Sequence, residues 1–436
     1  MSGSFVRASK FRHVFGEEYK TEQCYTDIKA STVGEGTYIA ANTEFFAVAK
    51  QGGGGPVIIQ RFDQPGRLSI NHPTLNVHRA KVLDMAFHPF IGNMIATGGE
   101  DCAVKVSQFP STGLTEHVTE AAVTCKGHTK KVMFVKFNPT ANSVLSSASF
   151  DRTIKLWDIE KQAEMLSYGD FGDMIQSYEF SDDGSQIFAS CKDKKVRLYD
   201  PRQAEAVQIA DSFSGTKSAR VFHCGAQNLV GAVGFTRTSQ RRIKFWDPRN
   251  LSGGPVRTVD LDQSASVLLP FYDNDLSILY LAGKGGGDIR YFEVDSTGVY
   301  HLANFRSSTP QKGLTWIPKR ACDTTHCEIA RFLRLTRDTV APVSMRVPRK
   351  TGADIFQDDI FPDTYAGVPS MTAEEYFGGA SKEVIKTSLD PEKRTDGAGA
   401  SAAATFVAKK SYEQLEEELA AAQAKIAELE AKLAGQ

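Results

Sequence analysis

The sequence predicts an all-β fold, a seven-bladed propeller, followed by a linker and a short C-terminal α-helical coiled coil. Three observations carry this. A five-residue strand pattern recurs at the period of propeller blades. Each copy follows apolar-polar stretches that end in Asp or Gly turns, which is hairpin chemistry. The last 26 residues change to an apolar repeat of period 3.5.

The recurring pattern is Ile-Lys-Leu-Trp-Asp at 154–158, Val-Arg-Leu-Tyr-Asp at 196–200, Ile-Lys-Phe-Trp-Asp at 243–247 and Ile-Arg-Tyr-Phe-Glu at 289–293. Val-Lys-Val-Ser-Gln at 104–108 is a weaker copy, and the steps between copies are 50, 42, 47 and 46 residues. Every copy alternates apolar and polar side chains, as a strand with two different faces must. Upstream stretches end at Asp101, Asp151 and Asp193, in turn positions. Further upstream, Gly127-His128 precedes the strand-like run 132–139, and residues 78–89 form its counterpart one blade earlier. These features resemble the Gly-His and Trp-Asp signatures of WD repeats, whose His, Ser/Thr, Asp and Trp form a hydrogen-bonded tetrad. The matching residues are His128, Ser147, Asp151 and Trp157; Ser107 and Tyr199 stand where other copies would carry Trp. The tetrad is read as structural, because a buried Asp bonding an imidazole and a turn amide satisfies polar groups. No G-x-S-x-G elbow accompanies it.

Strands counted from about residue 37 to residue 335 fill seven blades, with one blade (37–63) before the five copies and one (301–335) after. Residues 10–16 alternate like a strand and are expected to close the last blade at its outer edge, which leaves only short protected edges. The propeller is therefore expected to occupy residues 1–335. Gly52 to Gly55 and Gly283 to Asp288 read as hairpin turns, since neither has phosphate-loop spacing.

Hydrophobic residues make up 41% of the chain and charged residues 24%, with a net charge of −1. Global charge therefore gives no argument for nucleic acid, and an acidic partner has to be met by local basic patches. The seven cysteines (Cys24, Cys102, Cys125, Cys191, Cys224, Cys322 and Cys327) form no C-x-x-C pair. Cys322, His326 and Cys327 lack a second ligand pair, so no metal and no cofactor is expected. The first ten residues lack a signal peptide's apolar region, and no apolar run is long enough to span a membrane. The expectation is a soluble intracellular protein.

Four further segments carry a family resemblance: Ser-Lys-Phe-Arg-His-Val-Phe-Gly at 9–16, Gln-Cys-Tyr-Thr-Asp-Ile-Lys at 23–29, Pro-Lys-Arg at 318–320 with Cys-Glu-Ile-Ala-Arg-Phe at 327–332, and Val-Pro-Arg-Lys at 347–350 with Phe-Gln-Asp-Asp-Ile-Phe-Pro-Asp-Thr at 356–364. With the WD repeats, they make the chain resemble a coronin along nearly its whole length. The resemblance implies filamentous-actin binding, regulation of filament turnover, contact in many members with the branching complex of actin-related proteins, and a place in the cytoplasm on the actin cytoskeleton. It implies no catalysis. In related coronins a basic residue just after Cys-Tyr-x-Asp-Ile is central to filament binding. The matching residue is Lys29, which keeps the charge but lacks the bidentate fork of arginine. Lys130 with Lys131, Lys192 with Lys194 and Lys195, and Arg241 with Arg242 are further candidates for a basic actin-binding surface, which an acidic filament would attract.

Residues 336–378, with several prolines and aromatics, are expected to pack back on the propeller. Residues 379–410 are rich in Gly, Ala, Ser, Thr and charge and read as a flexible linker. In 411–436, Tyr412, Leu419, Ile426 and Leu433 fall at a, and Leu415, Ala422 and Leu429 at d. That seam predicts a coiled coil, since a lone helix this short is marginal in water. Lys425 to Glu430 resembles the trimer motif of coronins with Lys in place of Arg, so homotrimer and homotetramer both stand, and strand direction stays open. An amphipathic helix docked on its own propeller is the alternative. The function expected is an actin-filament binder that bundles or cross-links through its coiled coil. The rivals are a WD-repeat scaffold in trafficking, with actin contact secondary, and an enzyme on a propeller, for which no constellation is present.

Overall fold

Seven antiparallel sheets follow one another along the chain and close into a ring in the computed structural model, which describes residues 7–349, 355–393, 406 and 419–426. Blade I comprises Ile39–Ala41, Phe45–Ala49, Val57–Arg61 and Thr74–Leu75; blade III comprises Val132–Phe137, Val144–Ser149, Ile154–Asp158 and Ala163–Tyr168. The recurring pattern supplies the third strand of blades II to VI: Val104–Gln108, Ile154–Asp158, Lys195–Tyr199, Gln240–Trp246 and Asp288–Val294. Its alternation has a physical cause. Leu145, Trp157 and Val132 of blade III interdigitate with Met94, Ala96 and Val104 of blade II, and comparable clusters fill the other blade junctions. Each large side chain buried this way contributes roughly 1.5–3 kcal/mol relative to exposure.

Blade VII joins the two ends of the chain. Gly313–Trp316, Glu328–Leu335 and Val340–Arg346 form its first three strands, and Phe15–Glu18 is added outside Val340–Arg346. The outer strand is thus N-terminal, but it starts later than the 10–16 pattern. Phe11 and Val14 belong to a turn whose buried side chains enter the core of blades VI and VII. The third strand lies beyond residue 335, where the sequence reading ended the ring. Pro342 sits in its middle, a residue that local pattern disfavours inside a sheet. Inside this blade Arg334 is fully buried, bonded to Gln311, the Thr309 carbonyl and Glu18, so the closing strand also neutralises a buried guanidinium.

Residues 355–393 lie across one end of the ring. Tyr365 donates to the Pro139 carbonyl, Thr364 to Asp275, and Tyr376 to the Gly184 carbonyl. All three partners lie in turns between first and second strands of blades III, VI and IV. A short helix, Ala373–Phe377, is capped by Thr372 and Glu375. Among the described residues no helix is long and apolar enough to cross a membrane.

Candidate functional site

The extension covers one end of the ring, so the hairpins joining second to third strands, at the other end, are the open face. In blade III this hairpin is fixed by a hydrogen-bonded chain. Trp157 Nε1 can only donate, and does so to Ser147 Oγ at 2.8 Å. The Ser147 hydroxyl then donates to His128 Nε2 (2.7 Å), and His128 Nδ1 donates to Asp151 Oδ2 (2.9 Å). Asp151 also accepts from the Thr129 amide and the Thr153 hydroxyl. Burial lowers the His128 pKa and keeps the ring neutral. Ser147 Oγ and both Asp151 oxygens already have hydrogen-bond partners, which is a structural arrangement rather than a nucleophile and its base. Blade II has His78, Thr97 and Asp101 in the same places, while Ser107 replaces Trp and its buried hydroxyl has no partner among the described residues. Blade IV substitutes Arg197 for His on Asp193, and its Tyr199 donates to Asp170 instead.

These aspartates give the ring an acid dependence. Burial alone would raise the Asp101 carboxyl; the hydrogen bond and charge of His78 outweigh it and hold it at about 2. Burial acts the same way on Asp151, where Thr153, His128 and the Thr129 amide overcome it and lower the pKa. A carboxyl lowered on folding stabilises above its unfolded value, about 3.9, and loses that contribution as pH falls through the folded value. Asp151→Ala is therefore expected to cost about 2 kcal/mol at neutral pH, because it leaves His128 and an amide unpaired. In chemical denaturation the gap to wild type should shrink as pH falls below about 3.9 and on through the lowered folded value of Asp151. A gap independent of pH would reject the assignment.

With these aspartates turned inward, Lys29, Lys130, Lys131, Lys194 and Lys195 make no ion pair among the described residues. Lys29 is exposed between buried Ile28 and Ala30, and its side chain makes no ion pair among the described residues. It lies at the seam of the ring: Ile28 N–H bonds the Asp338 carbonyl of blade VII, and the Lys29 carbonyl accepts from Gln51 in the blade I hairpin. Lys130 is exposed and Lys131 half-buried in the connection entering blade III, and Lys194 and Lys195 are exposed in the blade IV hairpin. All five lie on the hairpin face. Arg241 and Arg242 reach the same end of the ring but differ in kind. Arg241 is buried and donates twice to Asp262 at 2.6 Å, and Arg242 is paired with Asp260. Arg241 is thereby withdrawn as a surface contact: its charge is committed inside the sheet. Two basic residues were overlooked. Arg79 and Lys81 are exposed on the same face, in His-Arg-Ala-Lys at 78–81, which aligns with His-Thr-Lys-Lys at 128–131. Aligning the repeats, rather than searching for lysine pairs, would have found them.

Across the axis, Glu35 links the loop after Lys29 to the far side of the ring. Arg220 of blade V, buried, donates to the Glu35 carboxylate at 2.8 Å and to its backbone carbonyl at 2.6 Å. Below this loop a cavity of about 890 Å³ runs between the inner strands to Thr364 and Tyr365 of the extension.

Of the helical seam, Leu419, Ala422, Lys425 and Ile426 lie in the described helix 419–426 and are exposed, Leu419 to 59% and Ile426 to 55%. Tyr412, Leu415, Leu429, Glu430 and Leu433 lie outside the described residues.

Fold and hairpin chemistry together define a seven-bladed WD-repeat β-propeller. Residues 120–158 and 168–200 match the family model described as WD domain, G-beta repeat. Residues 340–384 match a type of WD40 repeat, and 4–67 a domain of unknown function, DUF1899. The chain is 40% identical over 388 residues to Coronin-A of Dictyostelium discoideum, covering 88% of this chain and 86% of the relative. It is 37% identical over 396 residues to Coronin-2A of Homo sapiens, covering 88% and 75%. The solved WD40 domain of Toxoplasma gondii coronin superposes with a TM-score of 0.83 at 32% identity, covering 87% of this chain and 98% of that one. The chain belongs to the coronin family.

Proposed function

We propose that this protein binds actin filaments through the hairpin face of its propeller and joins several propellers through its C-terminal helix, so that it bundles or cross-links filaments and regulates their dynamics. It acts as a scaffold rather than an enzyme, on the cytoplasmic actin cytoskeleton. The observation that carries the reading is the set of exposed lysines, Lys29, Lys130, Lys194 and Lys195, that have no carboxylate partner among the described residues, on the face that the extension leaves open. Positive charge there is matched to an acidic filament and raises the rate of encounter. Lys29 supports it further, because its backbone is held from both blade VII and blade I, so the charge is presented from a rigid seam. The exposed apolar pair Leu419 and Ile426, seven residues apart on a helix, supports self-association as a homotrimer or homotetramer.

Lys29→Asp is expected to weaken filament binding by about 10- to 100-fold at low salt, since a like charge set against an acidic surface costs several kcal/mol. Raising the salt should weaken wild-type binding and narrow the difference. Co-sedimentation with filaments at two salt concentrations reads both effects. A Lys29→Asp protein that pellets like wild type removes Lys29 from the site. A wild-type protein that stays in the supernatant in dilute buffer removes the function.

A further inference from the structure

From the internal repeats we infer that Phe150, at the tip of the blade III hairpin, is the apolar anchor of the filament-binding face; this rests on the actin-binding reading above. Four blades make one equivalent bond at this tip: the amide of the first hairpin residue donates to the carbonyl of the residue entering the first strand. The pairs are Glu100 to Lys81, Phe150 to Lys131, Lys192 to Met174 and Lys284 to Val267. The backbone does not specify the side chain, and three of these blades carry a charged one. Blade III carries phenylalanine, 37% exposed, and among the described residues it is the aromatic ring that this face leaves in the open. One exposed apolar side chain needs no explanation by itself. Here the repeat shows what the position ordinarily holds, and the surroundings are those of an interface centre.

Lys131 Nζ lies 4.7 Å from the ring centroid, and Lys130 is exposed two residues ahead of the first strand. The tip is also rigid. Ser149 donates to the Lys130 carbonyl, Asp151 is tied to His128 and the Thr129 amide, and Arg152 donates to the Gly172 carbonyl of blade IV. An aromatic with two side-chain torsions on a braced hairpin loses little entropy on binding, and a large apolar ring that becomes desolvated in a partner's pocket is the kind of anchor that concentrates binding energy at an interface. The partner surface that fits is an apolar pocket rimmed by carboxylates.

Charge steering and an apolar anchor give opposite results for Phe150→Lys. Lysine is what blade IV carries at the equivalent position, so the hairpin accommodates it, and an equal thermal midpoint to wild type checks this. If the face acts by charge alone, the added lysine tightens filament binding. If Phe150 is an anchor, affinity falls about 10-fold, as for an interface hot spot, and does so at low and high salt alike. Phe150→Tyr keeps the ring and should bind as wild type. Co-sedimentation of the full chain with filaments measures all three. Phe150→Lys binding equal to or tighter than wild type overturns the anchor and leaves the actin reading standing on Lys29. Wild-type protein that fails to pellet overturns both.

Discussion

Gly16→Val is expected to destabilise the propeller by about 3 kcal/mol or more, the upper range for forcing extra carbon into a packed core. Gly16 lies in the outer strand of blade VII, opposite Met345. A Cβ built there would sit 2.6 Å from Phe305 Cδ2 and 2.9 Å from Phe305 Cβ and Cγ, in the outer strand of blade VI. Phe305 cannot swing aside cheaply, because it is buried and the buried Arg334 guanidinium lies over its ring. Displacing the strand would also remove Glu18 from Arg334, leaving a buried charge without its carboxylate. Thermal unfolding followed by circular dichroism measures the loss, and filament binding should fall with it, since Lys29 is held from the same blade. Gly16→Val with an unchanged midpoint would show that the ring does not depend on this closure.

Removing residues 411–436 is expected to abolish filament bundling while single propellers still bind. A second contact made through a linked propeller forms at high effective concentration, and losing the link lowers avidity by about 10²- to 10⁴-fold without touching the binding face. Leu419 and Ile426 lie one above the other on the described helix and are both exposed, so the helix by itself leaves apolar surface in water. Light scattering should report a trimer or tetramer for the full chain and a monomer for the truncated one. Low-speed sedimentation of filaments reports bundles. A truncated protein that bundles as well as the full chain rejects the mechanism, and a monomeric full chain rejects self-association.

Much of the fold was legible because its determinants are local and repeated. Strand alternation in the third strand of each blade reflects packing between adjacent sheets, and that constraint returns with every blade. His128, Ser147, Asp151 and Trp157 were identifiable through their likeness to the WD-repeat signature, and hairpin register places Ser147 and Trp157 on adjoining strands. Legibility failed where a distant segment decides. Pro342 hid a strand that is held on one side by Glu328–Leu335 and on the other by Phe15–Glu18. Arg241 resembles Lys194 in sequence, a basic residue near a hairpin, but Asp262 in the adjoining strand accepts two of its hydrogen bonds and Ser266 the others.

By itself, then, the sequence determined the propeller class, the third strands of blades II to VI and the segments that mark the family, and its likeness to WD repeats marked the tetrad of blade III. Tertiary structure decided which end of the ring stays open, which basic side chains remain unpaired on it, and that Glu35 reaches across the axis to Arg220. The physical reason is range. Backbone hydrogen bonding and side-chain alternation act over a few residues and are written in the local pattern. Whether a charge faces water or a partner depends on strands brought together from anywhere in the chain.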